Sequence, residues 1–511
     1  MLSVVKSVAL VGMEAAAIQV EVDISSGLPS FDLVGLPDTA VKESKERVRT
    51  AIKNAGFEFP AKRITVNLAP ADLKKEGPGF DLPIAVGILA CTGQLSNDYW
   101  SESFFVGELS LNGDLRGVPG VLAMSWSLAQ ASHEVVSLVV PEENGYEAGL
   151  IRGIRVFPVP DLKKLVSFLN GSEDIKPVNI NPDRYLGGIR GPEVDFSQIR
   201  GQAGVKRGLE IAAAGGHNVL LIGPPGAGKT LLARSLNSIL PPLDREEALE
   251  VSRIYSVAGL LSRDRPLITE RPFRAPHHTA STASVIGGGR TPKPGELSLA
   301  THGILFLDEL PEFRRDVLEA LRQPLEDRRV TISRVQAAYE YPADFMLVAT
   351  ANPCQCGFYG DRQRECNCTP YQIQKYRSKL SGPLLDRIDL QMEVPRLTLE
   401  ELQGHDDGEE SEKVRERVAA ARQRQWQRLK HYGIYYNAQI KGAMVRKLCP
   451  LTPEANELLQ KAFARLGLSM RAHDRVIKIA RSIADLAGSE LIQGAHLAEA
   501  LQYRLLDRAT G

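Results

Sequence analysis

The sequence predicts an α/β protein with three successive domains, and three observations support this. Residues 1–172 mix short alternating strands with helices, which indicates an α+β domain. Residues 195–395 contain short apolar runs that each end in a turn or helix signal, which is typical of a parallel-sheet core. Residues 396–511 follow a helical period and predict a helical C-terminal domain. Between the first two, residues 173–194 are rich in Gly, Pro, Asn and Asp and predict a linker.

Composition restricts the class of protein. The chain has 511 residues, with 62 Lys and Arg against 62 Asp and Glu. Net charge therefore indicates no partner, and a surface for nucleic acid would have to be local. Six cysteines are too few for a secreted disulfide framework, so we expect a reducing, cytoplasmic setting. No apolar run approaches the length of a membrane-spanning helix, so we expect no membrane partner.

A nucleotide-binding motif follows the first apolar run of the core. Residues 223–230 read Gly-Pro-Pro-Gly-Ala-Gly-Lys-Thr and match the P-loop pattern, with a strand before them and a helix after them. Backbone N–H groups of such a loop surround phosphates, Lys229 supplies a positive charge, and the Thr230 hydroxyl can bind Mg²⁺. The expected nucleotide-binding residues are Gly223, Pro224, Pro225, Gly226, Ala227, Gly228, Lys229 and Thr230.

The second apolar run, ILFLDE, ends in two carboxylates. Asp308 is placed to hold Mg²⁺ through water, and Glu309 to orient or deprotonate the attacking water. A solvated acidic strand end is the alternative, which the P-loop earlier in the same domain disfavours.

The core resembles AAA+ ATPases of the magnesium chelatase-like branch, which includes the MCM helicases. The resemblance rests on the P-loop, the acidic pair and the segments FMLVATAN, SGPLLDRIDL and LSMRAHDRVIKIARSIADL. It implies ATP as the nucleotide, with Asn352 as the sensor 1 residue. It also implies that Arg387 is the arginine finger, which reaches the γ-phosphate of a neighbouring subunit, and that the chain forms a ring. Arg471 matches the sensor 2 arginine, and Arg475 is the alternative.

Residues 1–172 resemble the proteolytic domain of Lon protease. The resemblance rests on GLPDTAVKESKERVRTAI, LAPADLKKEGPGFDLPIAVGIL and FVGELSLNGDLRGVPGV. Lon uses a Ser–Lys dyad, and this chain has Gly79 and Leu122 at the two corresponding positions. Glycine offers no nucleophile and leucine cannot act as a base. We therefore expect an inactive Lon-like domain, serving as a platform for subunits or DNA.

Taken end to end, the chain resembles the ComM/YifB family. The specific segments are RPFRAPHHTASTASVIGGGR, PGELSLATHGILFLDELPEF, NPCQCG and SGPLLDRIDL. The resemblance implies a bacterial, cytoplasmic, hexameric ATPase that binds DNA and drives branch migration during homologous recombination in natural transformation. Two alternatives stay open: the motor subunit of magnesium chelatase, which inserts Mg²⁺ into a porphyrin, and a MoxR-type protein remodeller.

Four of the six cysteines lie close together, just after Asn352. They form two Cys-x-Cys pairs and comprise Cys354, Cys356, Cys366 and Cys368. Zinc prefers four thiolates in a tetrahedron, and disulfides are disfavoured in a cytoplasm. The cluster therefore predicts a structural Zn²⁺ that shapes the loop after sensor 1. Cys91 and Cys449 are expected to be core or incidental residues.

The segment before sensor 1 is the main candidate for DNA contact. RRVTISRV followed by AAYEYPADF predicts a hairpin with Arg328, Arg329 and Arg334 near its ends, and cations on a hairpin suit phosphate contact. An ordinary solvated hairpin is the alternative. Residues 272–297 are expected to form a loop insert that lines the pore. A basic helix over residues 412–430 is a weaker candidate.

Overall fold

The fold class predicted from the sequence is confirmed by a computed structural model of the protein. The structure describes residues 1–96, 100–132, 134–186, 194–289, 292–333, 338–361, 363–380, 382–398, 408–466 and 469–504. These residues contain an N-terminal α+β region, a core with a parallel sheet, and a helical C-terminal region. Among them, no helix combines the length and the apolar character that crossing a membrane requires.

The described residues of the N-terminal domain contain nine strands, and seven of them form one sheet. Its strands are β1 (Leu2–Val11), β2 (Glu14–Ser25), β3 (Ser30–Val34), β4 (Arg63–Ala69), β5 (Phe104–Phe105), β6 (Glu108–Leu109), β7 (Leu115–Arg116), β8 (Val136–Pro141) and β9 (Ile154–Val159). Its helices are α1 (Thr39–Asn54), α2 (Asp81–Cys91), α3 (Val121–Ala131), α4 (Gly145–Ala148) and α5 (Leu162–Leu169). The sheet order is β3-β4-β2-β1-β5-β8-β9, and β6 and β7 form a separate two-stranded sheet. The pairing is antiparallel within β1-β2-β4 and parallel from β1 through β9.

The core contains the P-loop and the hairpin. Its strands are β10 (Val219–Ile222), β11 (Phe273–Arg274), β12 (Gly287–Gly288), β13 (Lys293–Pro294), β14 (Ile304–Leu307), β15 (Arg329–Ser333), β16 (Ala338–Pro342), β17 (Met346–Ala351) and β18 (Leu390–Glu393). Its helices are α6 (Ala203–Gly215), α7 (Lys229–Ile239), α8 (Arg245–Ala258), α9 (Thr282–Ile286), α10 (Glu296–Leu299), α11 (Arg315–Ala320), α12 (Arg322–Asp327), α13 (Pro370–Arg377) and α14 (Gly382–Leu385).

The three apolar runs seen in the sequence become the central strands of a parallel sheet. The order is β11-β14-β17-β10-β18, and every described pairing within it is parallel. All residues of β14 and β17 are buried, as expected for strands covered on both faces. This order places the carboxyl ends of β10, β14 and β17 side by side, at the edge where ligands bind in open α/β sheets.

The C-terminal domain is helical. It comprises α15 (Ser411–Leu429), α16 (Gly442–Leu448), α17 (Pro453–Leu466), α18 (Met470–Leu486) and α19 (Gly494–Gln502). Helices α15 and α18 pack on α6 of the core. One continuous hydrophobic cluster therefore includes buried residues from both the core and the C-terminal domain.

The N-terminal domain packs directly on the core through α3 and α8. The Gly120 N–H donates to the Ser256 carbonyl at 2.9 Å, and the Leu122 N–H donates to the Ser256 hydroxyl at 3.3 Å. The Ser256 hydroxyl in turn donates to the buried carboxylate of Glu147 at 2.6 Å. Burial raises the pKa of Glu147, against the effect of its hydrogen bonds from Ser256 and Asn144. The two domains thus share a buried polar contact as well as an apolar interface.

The two positions aligned with the Lon dyad are occupied by residues that serve the packing of this chain. Gly79 lies in a single turn of 3₁₀ helix, Pro78–Phe80, immediately before α2. Leu122 lies in the first turn of α3 and is fully buried, in a cluster that includes Leu249 and Val251 of α8. The residue at the lysine position therefore anchors the N-terminal domain to the core.

We expect Leu122→Lys to destabilise the protein. The substitution would bury an ammonium in an apolar interface without a counter-charge, which costs about 3 kcal/mol or more. Thermal unfolding should show a lower midpoint, and limited proteolysis should separate the N-terminal domain. Leu111→Lys is the matched control, because Leu111 is 56% exposed in the same domain. Equal midpoints for the two variants would show that Leu122 does not hold the domains together.

Candidate nucleotide-binding site

The P-loop connects β10 to α7, as the sequence predicts. Gly228 precedes α7 with φ +85°, a left-handed conformation that favours glycine. Gly223 lies so close to β18 that a Cβ there would be 2.2 Å from the Val394 carbonyl oxygen. Helix α7 begins at Lys229, so the loop residues just before it lie at a helix N-terminus, which suits a phosphate.

Lys229 links the P-loop to the end of β17. Its ammonium donates to the carbonyl oxygens of Gly223 at 2.6 Å and Pro224 at 2.9 Å, and to Asn352 Oδ1 at 3.1 Å. Burial lowers the pKa of Lys229, and the negative charges of Asp308 and Glu309 act in the opposite direction. Three elements that are distant in the sequence therefore meet at the position predicted for the phosphates.

The oxygen groups expected to bind Mg²⁺ also meet. The Thr230 hydroxyl donates to Asp308 Oδ2 at 3.3 Å. A hydroxyl and a carboxylate are the hard oxygen donors that Mg²⁺ prefers, so these residues fit the ion. Glu309 follows with φ +53°, a strained conformation for a residue with a side chain. The strand thus ends in a carboxylate that contacts Thr230 and in a second acidic residue with strained backbone.

Sequence reasoning missed Thr350, which connects the Asp308 carboxylate to the backbone of Glu309. Its hydroxyl donates to Asp308 Oδ1 at 2.5 Å and accepts the Glu309 N–H at 2.9 Å. Thr350 is fully buried near the end of β17. The period of two in a strand could have identified it, because it lies on the same face as Asn352, two residues later.

A cavity of about 630 Å³ opens beside the P-loop. The loop residues 225–228 form one side of it, and Ile199, Leu231 and Leu397 contribute apolar surface. Arg396 and Gln363 also line it. Its size and mixed lining suit a nucleotide base and ribose.

The two arginines expected to act on a phosphate have partners outside the P-loop. Arg387 pairs with Glu326 of α12 at 2.6 Å, and it also donates to the Pro383 carbonyl at 2.5 Å. Arg471 is 64% exposed and lies 3.7 Å from Asp386, the residue before Arg387. The structure thus brings Arg387 and Arg471 together near the end of α14 and does not bring either to Lys229.

The alternative sensor residue, Arg475, has a different environment. Its side chain is 13% exposed and pairs with Asp389 at 3.5 Å. Asp389 also contacts buried His217 at 3.3 Å. Although burial would raise the pKa of Asp389, the hydrogen bond and charge of His217 and the charge of Arg475 lower it to about 2. This buried pair favours a structural role for Arg475 over a role at the nucleotide.

The four clustered cysteines converge on one point. Their four sulfur atoms all lie within 4.8 Å of one another. Cys354 Sγ is 3.4 Å from Cys356 Sγ and 3.6 Å from Cys366 Sγ. A tetrahedron of Zn–S bonds of 2.3 Å has edges of about 3.8 Å, so this donor set fits a zinc ion. Cys91 and Cys449 are buried apart from this group.

The predicted hairpin is present as β15 and β16, paired from Arg329↔Pro342 to Ser333↔Ala338. Arg329 is 68% exposed and pairs with Glu340 at 3.3 Å. Arg328 instead pairs with Asp344 at the base of the hairpin, where it has φ +57°. This favours a structural role for Arg328, in contrast to the predicted DNA contact. Arg334 lies outside the described residues.

The basic helix predicted over residues 412–430 corresponds to α15, and most of its arginines face other protein groups. Arg417 pairs with Glu210 at 2.7 Å, and Arg428 with Asp485 at 2.8 Å. Arg422 donates to the Ala213 carbonyl at 2.9 Å, and Arg424 donates to that of Asp485 at 2.8 Å. The basic face is therefore used to attach the helix to the core and to α18, which disfavours it as a DNA surface.

Three family models match the chain in succession. The model described as magnesium chelatase, subunit ChlI, matches residues 195–402. The model described as subunit ChlI of Mg-chelatase matches residues 20–144, and the one for the C-terminal part of that subunit matches residues 408–504. The matched residues include the P-loop, the acidic pair and the cysteine cluster.

Full-length relatives are also found among known proteins. The competence protein ComM of Haemophilus influenzae is 46% identical over 512 residues, which cover 99% of this chain and 98% of that protein. The uncharacterized protein YifB of Escherichia coli is 46% identical over 509 residues, with the same coverage. The magnesium-chelatase 67 kDa subunit of Heliobacterium mobile is 28% identical over 193 residues, or 32% of this chain and 29% of that protein.

Proposed function

The chain belongs to the ComM/YifB family of magnesium chelatase-like AAA+ proteins, and on that premise we propose that it is an ATP-hydrolysing hexameric DNA motor. We further propose that it promotes branch migration in homologous recombination during natural transformation. The observation that carries the ATPase part is the meeting of Lys229 with Asn352 and of Thr230 with Asp308 at one sheet edge. The full-length similarity to a competence protein supports the part that concerns natural transformation.

Each residue of the site has a defined task in ATP hydrolysis. Lys229 and the backbone N–H groups of the P-loop bind the β- and γ-phosphates. Thr230 and Asp308 would hold Mg²⁺, which neutralises negative charge on the phosphates when bound. Glu309 orients the attacking water and accepts its proton. Thr350 holds the Asp308 carboxylate and the Glu309 backbone through the two hydrogen bonds at its hydroxyl.

The ring is supported by the position of Arg387. Its contacts are with Glu326 and Pro383, so within one chain it is directed to residues other than the P-loop. An arginine finger in this position would complete the nucleotide site of the adjacent subunit. Arg471 lies beside it and is well exposed, which suits a second contact across the same interface.

We propose that the β15–β16 hairpin contacts DNA in the pore. Among the described residues at the ends of the hairpin, Arg329 is a well-exposed cation. The N-terminal domain contacts the hairpin, because Gly12 in the β1–β2 turn lies against Tyr339 of β16. This contact gives the Lon-like domain a role in positioning a DNA-binding element in place of peptidase chemistry.

A structural zinc ion completes the proposal. The four thiolates of Cys354, Cys356, Cys366 and Cys368 would hold it, because soft sulfur ligands in a tetrahedral arrangement select zinc. With four protein ligands, no position remains for a substrate, so the ion would stabilise the loop and take no part in chemistry.

The ATPase rate with different additions separates this proposal from its alternatives. We expect single-stranded or branched DNA to stimulate hydrolysis and a porphyrin to have no effect. The ATPase rate of a magnesium chelatase motor would respond to the porphyrin and not to DNA. The ATPase rate of a MoxR-type remodeller would respond to neither addition. The ComM and YifB proteins match 99% of this chain, whereas the Heliobacterium mobile chelatase subunit matches only 32% of it, and this difference favours the DNA motor.

The hairpin contact can be tested by salt titration of DNA binding. Loss of one phosphate contact should reduce the slope of log affinity against log salt by about 0.7 for single strands. We therefore expect Arg329→Ala to lower both the slope and the affinity, evenly across sequences, since phosphates carry no sequence information. Arg116→Ala is the matched control, because Arg116 is 65% exposed in the N-terminal domain. Parental slope and affinity for Arg329→Ala would exclude this contact, and an effect of Arg116→Ala alone would move the DNA surface to the Lon-like domain.

A further inference from the structure

We propose that the cysteine loop, comprising residues 354–361 and 363–368, is a zinc-dependent wall of the nucleotide cavity. Zinc in this loop would then control the affinity for ATP, although the ion never contacts the nucleotide. The inference rests on the proposed ATP-binding function, and it adds a dependence of that site on a second metal.

The loop has only a small core of its own. Its described residues form neither helix nor strand, and as whole residues only Cys354 and Gly357 among them are buried. A segment with so small a core depends on a metal or another cross-link for a fixed shape. Two N–H groups already point at the sulfurs, from Tyr359 to Cys354 at 3.3 Å and from Cys368 to Cys366 at 3.4 Å. Such N–H donors stabilise metal-bound thiolates.

The loop rests directly on the P-loop. Gly357 has φ +87°, and a Cβ added there would be 2.6 Å from Pro225 Cδ. This close approach is possible only without a side chain. The loop begins at Cys354, two residues after Asn352, and Asn352 accepts a hydrogen bond from Lys229. A change in the shape of the loop would therefore act on both the P-loop and sensor 1.

Arg396 forms the second connection between the loop and the cavity. Its guanidinium pairs with Asp361 at 3.0 Å, donates to the Pro225 carbonyl at 3.2 Å, and lies over the ring of Phe358 at 5.4 Å. The Asp361 side chain is only 2% exposed. Arg396 lines the cavity together with Gln363 of the loop. The cysteine loop thus contributes one lining residue and fixes the orientation of another.

Zinc removal is the first test. Purified protein should contain about one zinc ion per chain. Affinity for a fluorescent ATP analogue should fall by about tenfold or more after chelation of the zinc, and it should return when zinc alone is added back. Circular dichroism before and after chelation checks that the domains stay folded. Equal affinity with and without zinc, or protein that binds no zinc, would overturn this inference.

Two variants distinguish the effect of zinc binding from the effect of the contact between the cysteine loop and Arg396. Cys366→Ser should lose zinc and nucleotide affinity together, whereas Asp361→Asn should keep zinc and lose affinity, because it breaks only the ion pair with Arg396. Cys91→Ser is the matched control, since Cys91 lies outside the cluster and a hydroxyl can keep its hydrogen bond to the Val22 carbonyl. Asp361→Asn with parental affinity would rule out the connection through Arg396. Zinc-loaded parent protein that binds no ATP would instead refute the proposed function.

Discussion

Lys229→Ala should abolish nucleotide binding, and Glu309→Gln should bind ATP without hydrolysing it. The Lys229 ammonium is the cation that joins the P-loop to Asn352, so its removal takes away the charge that attracts the phosphates. The glutamine variant keeps the size of the side chain but cannot accept a proton. We expect its turnover to fall by about 10²-fold to 10⁴-fold, as for the loss of a general base.

The two variants are compared by nucleotide titration and by phosphate release. Glu312→Gln is the matched control, because Glu312 follows three residues later and is a surface carboxylate paired with Lys379 at 3.1 Å. It should bind and hydrolyse ATP like the parent. A Glu309→Gln variant with the parental rate would show that Glu309 neither orients nor activates the water.

The central part of the fold could be predicted because it is encoded locally. Short apolar runs followed by glycine or acidic residues predict buried parallel strands, and β10, β14 and β17 lie where those runs are. The P-loop carries its own turn and helix signals within eight residues, from Gly223 to Thr230. Once these strands are adjacent in one parallel sheet, the meeting of Lys229, Asp308 and Asn352 follows from their positions at the strand ends.

Other features depend on contacts between segments that are distant in the sequence. The arginines of α15 form a basic pattern in the sequence, but the partner of Arg428 is Asp485, 57 residues away. Arg328 lies beside exposed Arg329, yet its ion pair with Asp344 exists only because the hairpin closes. No local pattern distinguishes an arginine bound to a carboxylate from one left for a phosphate. The ion pairs therefore favour a structural role for Arg328 and for the arginines of α15, and DNA contact by the hairpin stays a prediction.

The interface between the N-terminal domain and the core belongs to the same class of feature. Comparison with Lon identifies Leu122 as the wrong residue for catalysis, but it says nothing of what leucine does there. The structure places it against α8, next to Ser256. Helix α3 belongs to the N-terminal domain, and the sequence does not indicate that Leu122 of this helix packs against the core.

Arg387→Ala should retain ATP binding and lose hydrolysis, by about 10³-fold or more, as for other arginine fingers that act on a γ-phosphate. The guanidinium is held by Glu326 and Pro383, so its removal leaves the contacts of Lys229 and Thr230 in the same chain unchanged. Nucleotide titration should therefore give the parental affinity, while phosphate release should be near background.

Mixing two inactive variants distinguishes a finger that acts between subunits from one that acts within its own chain. When Arg387→Ala and Lys229→Ala subunits assemble at random, about a quarter of the interfaces in a ring combine an intact P-loop with an intact finger. We expect the mixture to regain ATPase activity in that proportion. In the control, the Lys229→Ala subunits are replaced with a Lys229→Ala/Arg387→Ala double variant. This variant contributes neither an intact P-loop nor an intact finger, so the mixture should stay inactive. A mixture that forms mixed rings but stays inactive would place Arg387 at the nucleotide of its own subunit, and an active Arg387→Ala protein would remove it from the site.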